Sequence, residues 1–451
     1  MPGIFRIADG VELTADLLWE YIKKNDTEVT NHYKKLQNAY NTDYAILHQK
    51  EKEEYKPDNR IAVNFAKYIV DTLNGFFIGI PIKVDAEEET VSDYVNYLDQ
   101  YNDQDDNNAE LSKICMIYGR GYEMYFVDDA GEIGITYLDP MESFMIYDES
   151  ILERPRFFVR TYKDTKKILH GSVSDGSVIR YFDVNPSLTF REEEKLHGFD
   201  GVPAVEYVAN KERMGIFESV MPMIDAYNKA ISEKANDVDY FADAYLKILG
   251  AKLEQDDLKM IRSNRIVNFD GFGDGNLIVE FMQKPSADET QEHLIDRLER
   301  LIFQISMVAN INDENFGSTT GIALKYKLQS MSNLAKTLER KFTSGMNRRY
   351  RLIFSNPVSG MKEDDWTLLT YKFTRNFPAN ELEESQIAGN LSGITSQETQ
   401  LKVLSIVDDV QAEMERIQEE QEDEPDYPTN RTVVVENELL EETPEAAEQG
   451  A

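Results

Sequence analysis

A single cysteine in 451 residues is the sharpest shortage in this chain. One thiol, Cys115, excludes an intrachain disulfide and any thiolate metal cluster built from one copy. Its neighbours Ile114, Met116 and Ile117 mark it as a small buried hydrophobe rather than a reactive group. Long apolar runs are missing as well. No stretch of about 18 apolar residues occurs, so no membrane span is expected, and Met1-Pro-Gly-Ile-Phe-Arg6 lacks the apolar core of a signal peptide. The expected place of synthesis is the cytoplasm. The five histidines, His32, His48, His170, His197 and His293, form no H-x-x-x-H or H-E-x-x-H pair. They read as exposed helix or loop positions, and neither a metal site nor a cofactor is expected. Walker A, G-x-S-x-G and kinase signatures are absent, so the chain reads as no enzyme, and an ATP-driven step would belong to another protein. Basic charge is scarce too: 48 Lys and Arg face 83 Asp and Glu, for a net charge of -35. With carboxylates that abundant, any chosen acid-base pair or two-metal cluster is a chance selection.

The hydropathy pattern of what remains predicts an α+β protein with long helices in its middle. Residues 12–55 are helix-patterned and polar until Lys56-Pro-Asp-Asn59 breaks them. A helix is expected over 59–75, then short helices over 91–101 and 108–118 on either side of an acidic loop, Asp103-Gln-Asp-Asp106. Residues 121–208 alternate apolar and polar positions, with strands at 122–127, 156–162 and 178–182 and turns at Asp129-Ala-Gly131 and Ser174-Asp-Gly176. A long helix follows over 219–249, striped by Val220, Ile224, Tyr227, Ile231, Val238, Phe241, Tyr245 and Ile248.

Residues 251–285 read as a small insertion, with a helix at 255–263 and a strand pair at 264–269 and 277–282. The glycines of Asp270-Gly-Phe-Gly-Asp-Gly275 lack G-x-G-x-x-G spacing, which argues against a phosphate loop. Ser286 and Glu289 make a capping box for the next helix, where Leu294, Leu298, Leu301, Ile305 and Val308 step by four and three as in a coiled-coil seam. A strand over 366–373 is expected to rejoin the β-rich part, and Thr395 with Glu398 caps a last helix to about residue 420. Residues 421–451, rich in Pro and Glu, read as a disordered acidic tail in which Val433-Val-Val435 is a candidate docking strand.

One stretch breaks the acidic rule. After the polar loop Asn310-Ile-Asn-Asp-Glu-Asn-Phe-Gly-Ser-Thr-Thr-Gly321, a helix striped by Leu324, Leu328, Met331, Ala335, Leu338, Phe342 and Met346 runs to Asn356-Pro357. It carries Lys325, Lys327, Lys336, Arg340, Lys341, Arg348, Arg349 and Arg351 against only Glu339. Such a run meets something anionic, either acidic neighbours in an assembly or a nucleic-acid backbone.

This loop, with Ser318-Thr-Thr-Gly-Ile-Ala-Leu-Lys-Tyr-Lys327, resembles the tunnel loop and following helix of the portal proteins of long-tailed bacteriophages, in the branch typical of phages of Gram-positive bacteria. Three further blocks stand in the order that family requires. Asn59-Arg-Ile-Ala-Val-Asn-Phe-Ala-Lys-Tyr-Ile-Val-Asp71 with Gly75-Phe-Phe-Ile-Gly-Ile-Pro-Ile82 resembles its N-terminal signature helix. Ile224-Asp-Ala-Tyr-Asn-Lys229 with Ala235-Asn-Asp-Val-Asp-Tyr-Phe-Ala-Asp-Ala-Tyr-Leu246 is similar to its first stem helix, and Gly393-Ile-Thr-Ser-Gln-Glu-Thr399 leading to Glu413 and Ile417 to its last helix block. The resemblance covers roughly residues 30–420.

It implies a wing over 1–216, a first stem helix over 217–250, a clip over 251–285, a second stem helix over 286–309, a tunnel loop over 310–321, a long helix returning to the wing over 322–380, crown helices over 381–420 and the tail over 421–451. It also implies a virion protein assembled in the host cytoplasm: a ring of twelve copies at the capsid vertex through which double-stranded DNA is packaged and ejected. Its partners would be the terminase motor, the major capsid and scaffolding proteins and a head-completion adaptor. The DNA-facing residues would be Asn315, Phe316, Gly317, Ser318, Thr319 and Thr320, with Lys325 and Lys327 at the helix start. Both lysines fit salt bridges between subunits equally well. An intracellular coiled-coil scaffold without DNA is the rival reading; the β-rich part and the small insertion speak against it.

Overall fold

The chain's computed structural model describes residues 3–53, 56–242, 246–249, 278–281, 288–311, 326–376, 381–404, 406–407 and 409–423. Two units result, Met1–Phe377 and Pro378–Ala451. In the first, strand β1 (Phe5–Ile7) precedes helices α1 (Ala15–Glu28) and α2 (Lys34–Tyr40), then come α3 (Phe65–Ile78), β2 (Lys83–Ala86), α4 (Glu89–Tyr101) and α5 (Gln104–Tyr118). Eight strands follow: β3 (Arg120–Val127), β4 (Ile133–Leu138), β5 (Ser143–Asp148), β6 (Pro155–Lys163), β7 (Leu169–Ser174), β8 (Val178–Val184), β9 (Leu188–Leu196) and β10 (Ala204–Val208). Helix α6 (Met221–Ala242), strands β11 (Leu246–Leu249) and β12 (Ile278–Phe281), helices α7 (Asp288–Ser306) and α8 (Gln329–Ser355) and strand β13 (Leu369–Lys372) complete it.

Side-chain alternation stacks these strands into layers. Six strands form one sheet in the order β1-β5-β6-β7-β8-β9, and three form another in the order β10-β3-β4. Phe144 and Ile146 of β5 turn to one side, where Leu18, Tyr21 and Ile22 of α1 cover the larger sheet. Met145 and Tyr147 turn to the other and meet Tyr122 and Ala204 of the smaller sheet. The far side of that smaller sheet, carrying Tyr125, Val205 and Tyr207, joins the main core with α3, α5 and α8. The order is thus α1, six strands, three strands, helices. At the outer edge of the larger sheet, β9 exposes Arg191, Glu192, Glu193, Glu194 and Lys195, charges that discourage another strand from pairing there. Gly345 lets α8 lie close to the smaller sheet, since a Cβ there would stand 2.3 Å from the Tyr207 ring.

Several element boundaries differ from the pattern-based expectation. The helix expected over 59–75 begins only at Phe65, because Asn64 caps it by accepting from the Lys67 amide at 2.8 Å. Residues 59–63 are extended instead. Their alternate amides, on Asn59, Ile61 and Val63, donate to Asn236 Oδ1 (2.6 Å), Ser232 Oγ (2.9 Å) and Asn228 Oδ1 (2.8 Å) on α6. Two extended residues advance about 6.6–6.8 Å and four helical residues about 6 Å, so side chains four apart on a helix can serve every second amide of a strand. This strap imitates a sheet ladder.

The acidic 103–106 loop is mostly helix: Asp103 sits left-handed at φ 49° and residues 104–106 are the first turn of α5. Helix α6 stops at Ala242, short of the expected 249, and residues 246–249 pair antiparallel with 278–281. The strand expected at 277–282 is present and pairs with 246–249; the helix at 255–263 and the strand at 264–269 lie outside the described residues. Strand β13 does not rejoin the β-rich part but pairs with β2.

Helix α7 also departs from its expected seam. Of that seam Val308 is buried and Leu298 packs against the core, but Leu294 and Ile305 are exposed while Ile295, Ile302 and Ser306 are buried in their place. In the second unit the last helix is two pieces, α10 (Gln397–Leu401) and α11 (Val410–Asp423), after α9 (Glu381–Leu391). Ser396, not Thr395, caps α10, and Asp409 caps α11 through the amides of Gln411 and Ala412. The tail from 424 onward, Val433 to Val435 included, lies outside the described residues.

Candidate functional site

The expected site straddles the α7–α8 connection. Asn315, Phe316, Gly317, Ser318, Thr319, Thr320 and Lys325 lie outside the described residues; Lys327 is described and exposed. What the structure places are the two roots of that connection. On the α7 side Val308 is buried, the Ile311 amide donates to the Tyr68 hydroxyl of α3 at 2.9 Å, and the Asn310 side chain donates to Glu299 of α7 at 3.4 Å. On the α8 side Leu328, Met331 and Ala335 are buried in the same core. Residues 312–325 thus leave from and return to packed helices.

Helix α8 sorts its charges by face. Lys336, Arg340, Arg348 and Arg351 are exposed and Lys341 half-buried, all roughly opposite the Met331–Ala335–Leu338–Phe342–Met346 stripe. Glu339 pairs with Arg375. Arg349, counted in the run expected to meet acidic neighbours or a nucleic-acid backbone, is fully buried and meets its anion inside the chain. Its guanidinium makes a two-pronged contact with Glu123 of β3, at 2.8 and 2.9 Å, and donates to Asn108 Oδ1 at 2.6 Å. Glu123 also accepts from Gln104 (3.2 Å), Tyr125 (2.7 Å) and Tyr207 (3.1 Å). Burial works against the Arg349 charge, but Glu123 together with Tyr207, Tyr350 and Tyr125 outweighs it, and its pKa is pushed well above the ordinary value.

The opposite face of the smaller sheet carries a second buried cluster. Glu206 of β10 accepts from Arg213 at 2.8 and 2.7 Å and from the Tyr147 hydroxyl at 2.6 Å, and Arg120 approaches at 3.4 Å. Burial alone would raise the Glu206 pKa; the hydrogen bonds and charges of Arg213 and Arg120 hold it down to about 2. Arg120 further donates to the Tyr33 hydroxyl (2.8 Å) and the Gly3 carbonyl (3.2 Å), joining the N-terminal helices to the sheet. Both clusters were missed from the sequence. Their one signal was a lone acid in an otherwise apolar strand, Glu123 in Tyr122-Glu-Met-Tyr125 and Glu206 in Ala204-Val-Glu-Tyr207.

A cavity of about 670 Å³ opens between β2 and the α4–α5 turn, with Asp85, Asp99, Asp103, Asp105 and Asp106 in its wall. Burial raises Asp99 to about 6, against the pull of Arg349. Among the described residues no group of three or more His, Cys, Asp or Glu could hold a metal. His197 is buried, contrary to the exposed position expected, with burial lowering its pKa. His170, expected on an exposed helix or loop, stands in β7 between Asp164 and Asp183, whose hydrogen bonds raise its pKa. Cys115 is buried as expected, and burial pushes its thiol pKa up. No described helix is long and apolar enough to cross a membrane.

Comparison with known proteins fits this arrangement. The family described as phage portal protein, SPP1 Gp6-like, matches residues 20–426. The portal protein of Bacillus phage SPP1 is 24% identical over 404 residues, covering 84% of this chain and 79% of its own length. The portal protein of Clostridium phage phiCD119 is 22% identical over 383 residues, covering 78% and 83%. A family match running through the wing-like layers, both helices around the 312–325 connection and most of the second unit leaves one assignment: this chain belongs to the SPP1 Gp6-like phage portal proteins.

Proposed function

We propose that this chain is one of twelve subunits of a portal ring whose axial channel is narrowed by the 310–321 loops. Family membership gives the ring at the capsid vertex and its role in DNA packaging, and it is the observation that carries the reading. In this reading the layers of 1–216 are the wing, α6 and α7 the stem, 251–285 the clip and 381–420 the crown. The double-stranded genome passes inward during packaging and outward at ejection. The terminase motor supplies the work, and capsid, scaffolding and head-completion adaptor proteins meet the ring from outside; the chain itself catalyses nothing and takes no cofactor. It serves in the virion after assembly in the host cytoplasm.

Charge supports a sliding conduit. Proteins that grip DNA neutralise phosphates with Lys and Arg, whereas a chain of net charge -35 repels the duplex over most of its surface. Weak contacts at the constriction suffice: Asn315, Ser318 and Thr319 as hydrogen-bond donors to phosphate, Phe316 against the duplex, Gly317 and Thr320 shaping the loop, and Lys325 and Lys327 as modest attraction. The roots of the connection, pinned by Tyr68 and by the buried Leu328, support the loop without depending on it.

The test is a packaging assay run beside electron microscopy of the same rings. Phe316→Ala, and Lys325→Glu with Lys327→Glu, are expected to leave rings intact and to lower packaging or retention of DNA, the lysine effect fading as salt shortens the screening length to a few ångströms. Intact rings with normal packaging would remove the DNA-contact role; dissociated rings would make the lysines subunit staples.

A further inference from the structure

The cavity between β2 and the α4–α5 turn sets the carboxylates of Asp85, Asp99, Asp103, Asp105 and Asp106 against a single cation, Lys83. Among the described residues no Lys or Arg bridges any of these five carboxylates. Acidity alone selects nothing on a chain of net charge -35, but the wall residue Gln104 adds a second demand. Gln104 is 1% exposed, and its Nε2 donates to Asn108 Oδ1 at 3.1 Å and to Glu123 Oε1 at 3.2 Å. Both partners are acceptors, which fixes the orientation of the amide. With the nitrogen held by the core, the oxygen end is left to the cavity. That oxygen is buried and meets no donor among the described residues, and a buried acceptor without a donor is costly until something supplies one. Positive charge and N–H groups are needed together.

We propose that this cavity binds an aliphatic polyammonium ion of the spermidine class, one ammonium group donating to Gln104 Oε1 and the others facing the aspartates. Three features select it. A single inorganic cation needs its oxygen ligands at about 2.0–2.6 Å, and no three of these carboxylates are grouped to hold one. A lysine or arginine side chain brings one charge to five carboxylates, where a triamine brings three. Pro81, Ile82 and Val84 stand in the same wall and give the methylene segments between the ammonium groups an apolar surface. The missing countercharge shows at half-buried Asp99, whose pKa burial raises to about 6 despite the pull of Arg349. A water would satisfy Gln104 and leave the carboxylates as they are. Every residue involved belongs to one chain, so the site needs no ring.

Calorimetric titration of the full chain with spermidine, in low-salt buffer at pH 7.5, tests this. Saturable binding at one site per chain is expected, and its absence would overturn the proposal. Asp103→Asn with Asp106→Asn is expected to weaken that site at least tenfold; both positions are exposed, and Asn tolerates the left-handed backbone of Asp103. Glu192→Gln with Glu194→Gln removes the same charge from the exposed β9 edge and is expected to leave the site unchanged. Equal weakening by the two pairs would reduce the binding to general attraction by an acidic protein and overturn the proposal. So would n-butylamine binding as tightly as spermidine, the mark of a pocket for one side-chain ammonium, or displacement of spermidine by an equal concentration of magnesium, the mark of an inorganic cation site. Should the aspartate pair disturb the fold, carbodiimide coupling of spermidine to the wild-type chain decides. Peptide mapping is expected to find the new amide links concentrated on Asp99, Asp103, Asp105 and Asp106; links spread evenly over the acidic surface would overturn the proposal.

Discussion

Replacing Arg349 by Ala isolates the cost of a buried charge left alone. The guanidinium is fully buried and supplies Glu123 with two hydrogen bonds at 2.8 and 2.9 Å; without it the carboxylate stays at 1% exposure with only neutral donors, Gln104, Tyr125 and Tyr207. Removing one partner of a buried pair costs about 3–5 kcal/mol, far more than an exposed pair. With a urea slope near 3 kcal/mol/M, the unfolding midpoint should fall by about 1 M or more. Intrinsic fluorescence is a suitable probe because the two tryptophans report on different cores: Trp366 packs against the cluster that holds α8, and Trp19 against the one beneath the larger sheet. Arg349→Met combined with Glu123→Gln removes both charges and keeps an acceptor for the tyrosines, so it should recover most of the loss. A single variant that unfolds within about 0.3 M of wild type, or a double variant no better than the single, would refute the claim that an uncompensated Glu123 is the source of the cost.

Acid should expose the second cluster. The folded Glu206 pKa of about 2 lies below its ordinary value of 4.5, so its contribution, on the order of 3 kcal/mol, is complete above pH 4.5 and lost as pH falls toward 2. Glu206→Gln should therefore flatten the pH dependence of the urea midpoint across that interval; an unchanged slope would refute the assignment. Cys115 should resist iodoacetamide in the native chain at pH 8 and react within minutes in urea, as followed by mass spectrometry; rapid native labelling would contradict its burial. Asn228→Ala and Ser232→Ala each leave a strap amide without its acceptor, at about 1–3 kcal/mol apiece. Hydrogen exchange at Val63 and Ile61 should accelerate while the amides of α3 keep their protection, and uniform acceleration would mean the strap has no separate existence.

The layers of the β-rich part were legible because alternation and burial coincide in them. Strands at 122–127, 156–162 and 178–182 are present with every end within two residues of its expected limit, since each carries apolar side chains on a face that another layer covers. Where the chain instead solves its hydrogen bonding through side chains, pattern reading failed. Residues 59–63 look helical because Ile61 and Phe65 are four apart; what decides their conformation is three polar side chains on α6, more than 160 positions away. No local pattern contains that information. The end of α6 fails for a related reason, as residues 246–249 have a strand partner at 278–281, supplied by a distant segment that outweighs local propensity.

The site divides along the same line. Family motifs propose the 310–321 loop, whose residues from 312 on lie outside the described ones, and helical periodicity locates the core stripe of α8, but neither tells which cations of that helix face outward. Arg349 differs from Arg348 and Arg351 only in its angle around the axis, and that angle is set by Met346 and Ile353 beside it in the buried stripe. The consequence is mechanical as well as electrostatic. One arginine of the basic run fastens α8 to Glu123 on the smaller sheet, while Lys336, Arg340 and Arg351 keep an exposed positive face on a strongly acidic protein. A helix bolted at one end to a sheet and rooted at the other beside the 312–325 connection gives the proposed tunnel loop a firm support. The exposed charges are then left to meet an anionic surface without also having to hold the fold together.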